Sequence, residues 1–163
     1  MLKSLTDLYE EQLQDMYSAE KQLTEALPKL ADGASNADLK QAFRSHLQQT
    51  RAQMERIEQI FKMRDMGPGR KKCKGMKGLV EEGAEVLEES NKSAARDAAL
   101  ILAAQKAEHY EIATYGALRT YAEMLGETEQ ARLLQTSLNE ESETNELLNQ
   151  LARTINSKAQ SSR

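Results

Sequence analysis

Four stretches of this sequence place an apolar residue at every third or fourth position, and midway along each the apolar residues give way to polar ones. The first seam runs Tyr9, Leu13, Met16, Glu20, Leu23, Leu27, Leu30 and the second Leu39, Phe43, His46, Thr50, Gln53, Ile57, Ile60. The third is Ile101, Ala104, Glu108, Glu111, Tyr115, Leu118, Ala122, Leu125, and the fourth Leu134, Ser137, Glu141, Thr144, Leu148, Leu151, Ile155. Such spacing gathers each set on one face of an α-helix, which must be buried against another element. Four helices that are apolar at both ends and polar at the waist predict an all-α bundle built around a buried polar site.

A chain of 163 residues is long enough for one such domain, spanning 1–163, and leaves no room for a second. Stop and start signals divide it into helices over about 4–33, 36–66, 76–89, 93–125 and 128–155. Ser4 with Asp7 is a capping-box variant, Ser35 and Asn36 are caps for the second helix, Gly67-Pro68-Gly69 ends it, and Gly126 caps the fourth. Pro28 predicts a kinked last turn in the first helix. The connection 67–92 holds a short amphipathic segment with Met76, Leu79, Val80, Gly83 and Leu87 on one face. Its length permits a crossover along the bundle, the connection used by ferritin-like antiparallel four-helix bundles. The polar tail from Asn156 is expected to fray.

A net charge of -4 gives no reason to expect nucleic acid or an acidic membrane as partner. The one basic cluster, Arg70, Lys71, Lys72, Lys74 and Lys77, lacks aromatic residues on which bases could stack and reads as a solvated loop. Cys73, the single cysteine, excludes an intrachain disulfide and is expected to be exposed in that loop. The amino-terminal stretch Met1 to Asp7 has no apolar run of signal-peptide length, and no stretch is apolar enough to span a membrane, so a cytoplasmic protein is expected.

The waist is where the chemistry lies. Glu20, Glu108, Glu111 and Glu141 occupy seam positions, and no Lys or Arg stands at the centre of any seam. An ionised carboxylate buried without a partner costs several kcal/mol. Either the carboxyls share protons, or a cation sits among them; converging Glu oxygens suit one or two divalent ions. His46, one turn before Thr50, is either a hydrogen-bonded core histidine or a donor that orients a carboxylate. His109 points off the seam and is expected at the surface or in a subunit contact. Tyr17 and Tyr115, each one turn from a seam glutamate, read as core tyrosines bordering the site.

The segment Glu108-His109-Tyr110-Glu111, with Tyr115 after it and Gly126 ending the helix, resembles the third helix of rubrerythrin-like members of the ferritin superfamily. Over nearly its whole length the chain is similar to the bacterial YciE/YciF stress-associated family. The residues that carry this likeness are Tyr17-Ser18-Ala19-Glu20-Lys21-Gln22-Leu23, Arg96-Asp97-Ala98-Ala99-Leu100-Ile101 and Ala107-Glu108-His109-Tyr110-Glu111-Ile112-Ala113. The resemblance implies a ferritin-like fold, a homodimer and a di-metal site of iron or manganese. Carried over position by position, it makes Glu20, Glu108, Glu111 and Glu141 ligands. Thr144 stands where the family's last histidine would be, and Thr50 and Gln53 stand in place of a Glu and a His. Gln53 completes the implied ligand set, with His46, Gln49, Thr50, Thr144, Tyr17 and Tyr115 one step behind it.

Two functions follow. One is a stress-associated metal-binding protein with an incomplete di-metal centre; if it is an enzyme, its metal would activate peroxide or oxygen. The other is a metal-free structural or interaction bundle acting as a homodimer.

Overall fold

The computed structural model describes residues 3–89 and 91–161, and these form five α-helices with no strand. They are α1 (Leu5–Gly33), α2 (Ala37–Met63), α3 (Lys74–Glu89), α4 (Ala94–Met124) and α5 (Thr128–Ser161). Met1, Leu2, Ser162 and Arg163, which carry parts of the amino-terminal and tail expectations, lie outside the described residues.

Side chains set the helix starts. Ser4 Oγ accepts from Asp7 N at 3.0 Å, Asn36 Oδ1 from Leu39 N at 3.0 Å, and Ser93 Oγ from Arg96 N at 3.1 Å. Each satisfies an amide that the first helical turn leaves without a partner. Pro28 lies inside α1, which stays helical to Gly33. The helix α2 ends at Met63, before the expected Gly67-Pro68-Gly69 stop. The reason is a Schellman turn: Met66 N donates to Phe61 O at 2.9 Å and Asp65 N to Lys62 O at 3.3 Å, with Asp65 at φ 49°. Gly126, at φ 76°, closes α4 in the same way, with Glu127 N on Ala122 O at 2.8 Å. The tail expected to fray from Asn156 is instead helical through Ser161, anchored by the buried Ile155.

Helix α1 packs against α2, α3 and α4, while α5 packs against α4 and α2. Every seam residue is buried except Leu125 and Leu151, which are half-buried, so the period read from the sequence is the core itself. The α1–α2 turn is held from a distance: buried Asp97 accepts Ser35 N at 2.7 Å and Asn36 N at 2.8 Å. At the opposite end Arg64 joins Glu10 (2.7 Å) to Glu127 (3.1 Å), with its guanidinium over the Tyr9 ring.

The expectation of an exposed Cys73 is corrected. Its side chain is buried, with Sγ 3.0 Å from the Tyr110 hydroxyl, and that hydroxyl is 2.9 Å from Asp15 Oδ2. Cys73 N donates to Ser18 Oγ at 2.9 Å, which draws the basic loop down onto α1. Lys71 extends this contact to Glu11 and Asp15 at 2.5 and 3.5 Å. No helix among the described residues is long and apolar enough to cross a membrane.

Candidate metal centre

The waist residues converge. Glu20 comes from α1, His46, Thr50 and Gln53 from α2, Glu108, Glu111 and Tyr115 from α4, and Glu141 and Thr144 from α5; all are buried. One atom from each of His46, Glu108, Glu111 and Glu141 lies within 4.8 Å of the others, so these four could share an ion. His46, placed behind the ligands by the sequence, stands within the group: Nε2 is 3.0 Å from Glu108 Oε1 and 4.0 Å from Glu141 Oε2. Glu20 is outside that foursome. Its Oε1 accepts the Tyr115 hydroxyl, and it is near enough to Glu111 and Glu141 to be influenced by both.

The other expected residues occupy a wider circle. Gln53 Nε2 donates to Glu140 Oε2 at 3.1 Å, and its Oε1 is buried without a hydrogen-bond partner. Thr50 Oγ1 donates to the His46 carbonyl at 3.0 Å, and Thr144 Oγ1 donates to Gln49 Oε1 at 3.1 Å. Tyr17 turns away from the waist, donating to Glu58 Oε1 at 2.8 Å and tilting against Phe61. His109 is exposed, as expected. Unforeseen from the seams is Arg56, whose guanidinium grips both oxygens of Glu140 at 2.7 Å and reaches Ser137 Oγ at 3.1 Å. It neutralises the carboxylate beside Glu141. Nothing in the apolar period marks it, because it lies one step off the seam.

The electrostatics follow from burial. Removal from water pushes the Glu20 carboxyl up to about 8, repulsion from Glu141 adds to the rise, and the Tyr115 hydrogen bond and His46 oppose it. Glu108 is likewise pushed up to about 8 by burial, with a hydrogen bond to Glu141 opposing and Glu20 adding. Glu111 and Glu141 are held well above the usual carboxylate range, first by burial; the other waist carboxylates push Glu111 further, while His46 draws Glu141 back.

As carboxylates, these groups leave Glu20 Oε2, Glu108 Oε2 and both oxygens of Glu111 and Glu141 buried with no hydrogen-bond partner, along with His46 Nδ1. Native interiors leave only a few such atoms unmatched per hundred residues, and here they gather at one place. Two states cure this. Protons can be shared between Glu108 and Glu141 and between Glu20 and Glu111, or a divalent cation can take the place of the missing donors. The donor set, carboxylate oxygens with one imidazole, fits a transition metal such as iron or manganese.

An all-helical protein whose buried middle holds a histidine and four carboxylates is the class that fold and site define. The chain belongs to the family described as a domain of unknown function, DUF892, whose model matches residues 4–160. It is 50% identical over 161 residues to the protein YciF of Escherichia coli K12, covering 98% of this chain and 97% of that one. The crystal structure of the E. coli stress protein YciF superposes with a TM-score of 0.93, covering 96% of this chain and 99% of that chain at 49% identity. YcfI from Rhodopseudomonas palustris matches with a TM-score of 0.87 at 43% identity, covering 90% of this chain and 94% of its own.

Proposed function

We propose that this is a ferritin-like metal-binding protein of stress physiology, holding one or two ions of iron or manganese at the waist. The five helices are read as an antiparallel four-helix bundle, α1, α2, α4 and α5, with α3 in the crossover. The observation that carries the proposal is the set of buried carboxylate oxygens without hydrogen-bond partners around His46. Glu108, Glu111, Glu141 and His46 would hold the first ion. Glu20 and the free Oε1 of Gln53 would complete the shell or begin a second site. A bound iron or manganese ion supplies Lewis acidity and, where its redox state can change, electron transfer to peroxide or oxygen. Around it the chain's own groups do the positioning. Tyr115 fixes Glu20 through its hydroxyl, Thr50 braces the α2 turn that presents His46, and Arg56 keeps Glu140 out of the cluster. The likeness to a stress protein supports the physiological setting, and a cytoplasmic homodimer is the form we propose.

The test is metal analysis of protein purified without chelator, for wild type, Glu20→Ala and Glu141→Ala. Wild type is expected to carry stoichiometric iron or manganese, Glu141→Ala almost none and Glu20→Ala a reduced amount. Equal and negligible metal in all three would overturn the proposal.

A second reading is a metal-free structural bundle whose carboxyls share protons. It is favoured by Thr50 and Thr144, which stand at ligand positions with their hydroxyls already bonded inside the protein. A saturable rise in melting temperature on adding Fe(II) or Mn(II) would decide against it, because a ligand that binds only the folded state must stabilise it.

A further inference from the structure

Beside the cluster, between α1, α3 and α4, lies a cavity with room of about 30 Å³. A buried water needs roughly 10–15 Å³ on this measure, so the space suits a molecule of two or three heavy atoms. Leu23, Leu27 and Leu30 of α1, Val80 of α3 and Ala104 of α4 line it, and at its inner end it reaches His46 and Glu108. Those two residues carry buried atoms without hydrogen-bond partners, His46 Nδ1 and Glu108 Oε2. A groove between α1 and α3 shares Ala26, Leu30 and Val80 with the cavity and is rimmed by charged side chains such as Glu25 and Lys77.

We infer that this cavity is a binding site and access path for a small uncharged, apolar molecule of diatomic size, leading past α3 to the His46–Glu108 edge of the cluster. The lining decides the chemistry. An ion crossing it would lose its hydration with no polar group to replace it until the inner end, whereas an apolar gas gives up little. Gly83 forms part of the α3 wall of the cavity. A Cβ there would lie 3.8 Å from both Ala103 Cβ and Leu30 Cδ2, ordinary contact, so a longer side chain would occupy the space itself. Glycine in mid-helix is also unfavourable for stability, so Gly83 leaves the wall of the cavity open at the expense of α3. The inference deepens the metal reading by naming what reaches that site, but the cavity does not depend on an ion.

Xenon is the probe. His46 and His109 are the two histidines of the chain, one at the inner end of the cavity and one exposed, so their imidazole NMR signals are reporter and control. In metal-free full-length protein under xenon, the His46 ring signals are expected to shift saturably and those of His109 to stay put. Gly83→Leu should weaken the response at least tenfold. Gly78→Leu, on the same helix where a Cβ meets nothing within 4 Å, should leave it unchanged. Should Gly83→Leu fail to fold by circular dichroism, Ala103→Leu closes the same space from α4. An unmoved His46 in wild type, an undiminished response in the closed variants, or an equal response to nitrite would overturn the inference. Mn(II) titration of wild type and Gly83→Leu separates this outcome from the metal reading: closing the cavity should leave metal affinity within twofold of wild type.

Discussion

Asp97 shows how far a single side chain can reach in this fold. It sits in the first turn of α4, yet its two oxygens serve the amides of Ser35 and Asn36 in the α1–α2 turn, at 2.7 and 2.8 Å. Asp97 is almost wholly buried while Ser35 is exposed and Asn36 half-buried, so the turn is held by two bonds to a buried charged group. A hydrogen bond to a charged group contributes about 1.5–3 kcal/mol. Asp97→Ala is therefore expected to lower unfolding free energy by about 2–5 kcal/mol, read from urea denaturation, while Asp97→Asn, which keeps one acceptor, loses less. The sequence offered no sign of this role, because the contact joins residues more than sixty positions apart. Cys73 and Arg56 were hidden for the same reason: their partners Tyr110 and Glu140 lie on other helices. Glu20, Gln53, Glu108, Glu111 and Glu141 were legible because a helical period assigns each residue its face without reference to any partner.

At the scale of the element, what was legible was the helix and what was not was its edge. The seams located the four long helices, and Ser4, Asn36 and Gly126 capped them as read. The end of α2 differed because Asp65, not a glycine, takes the left-handed position, a conformation that Asp tolerates better than most residues. The two Schellman turns make a matched experiment. Asp65 is exposed and gains from relief of its left-handed strain, so Asp65→Gly should stabilise by about 0.5–1 kcal/mol. Gly126→Ala should destabilise by about 1 kcal/mol; a Cβ there meets nothing within 4 Å, so the whole effect is backbone strain at φ 76°. Opposite shifts in denaturation midpoint at unchanged slope would establish that both ends are governed by the same backbone conformation, and shifts of the same sign would refute it.

The whole molecule is organised against its own centre: apolar seams assemble the helices only by taking four carboxyls out of water. Without metal, that conflict must surface as a pH dependence. The carboxyls of Glu20 and Glu108 are raised from an ordinary value of 4.5 to about 8 in the folded protein, so between those limits the folded state holds protons that the unfolded state has released. Stability is therefore greatest at the acidic side of this window and falls as pH rises through it, because unfolding relieves the groups that resist ionisation. Glu111 and Glu141, held higher still, act in the same direction. Melting temperatures of metal-free protein are expected to fall from pH 5 to pH 9, after allowance for the opposite trend of surface pairs such as Arg132–Glu129 at the acid end. Glu108→Gln, which cannot ionise, should flatten the slope. Saturating Mn(II) should flatten it further, since an ion that replaces the shared protons stabilises the ionised form. The same exchange requires that metal binding near neutral pH release protons, and calorimetry in buffers of different ionisation enthalpy would count them. A metal-free protein whose melting temperature rises steadily across this range would show that the waist carboxyls are already ionised and paired, and the account of the cluster given by its unpartnered oxygens would fail.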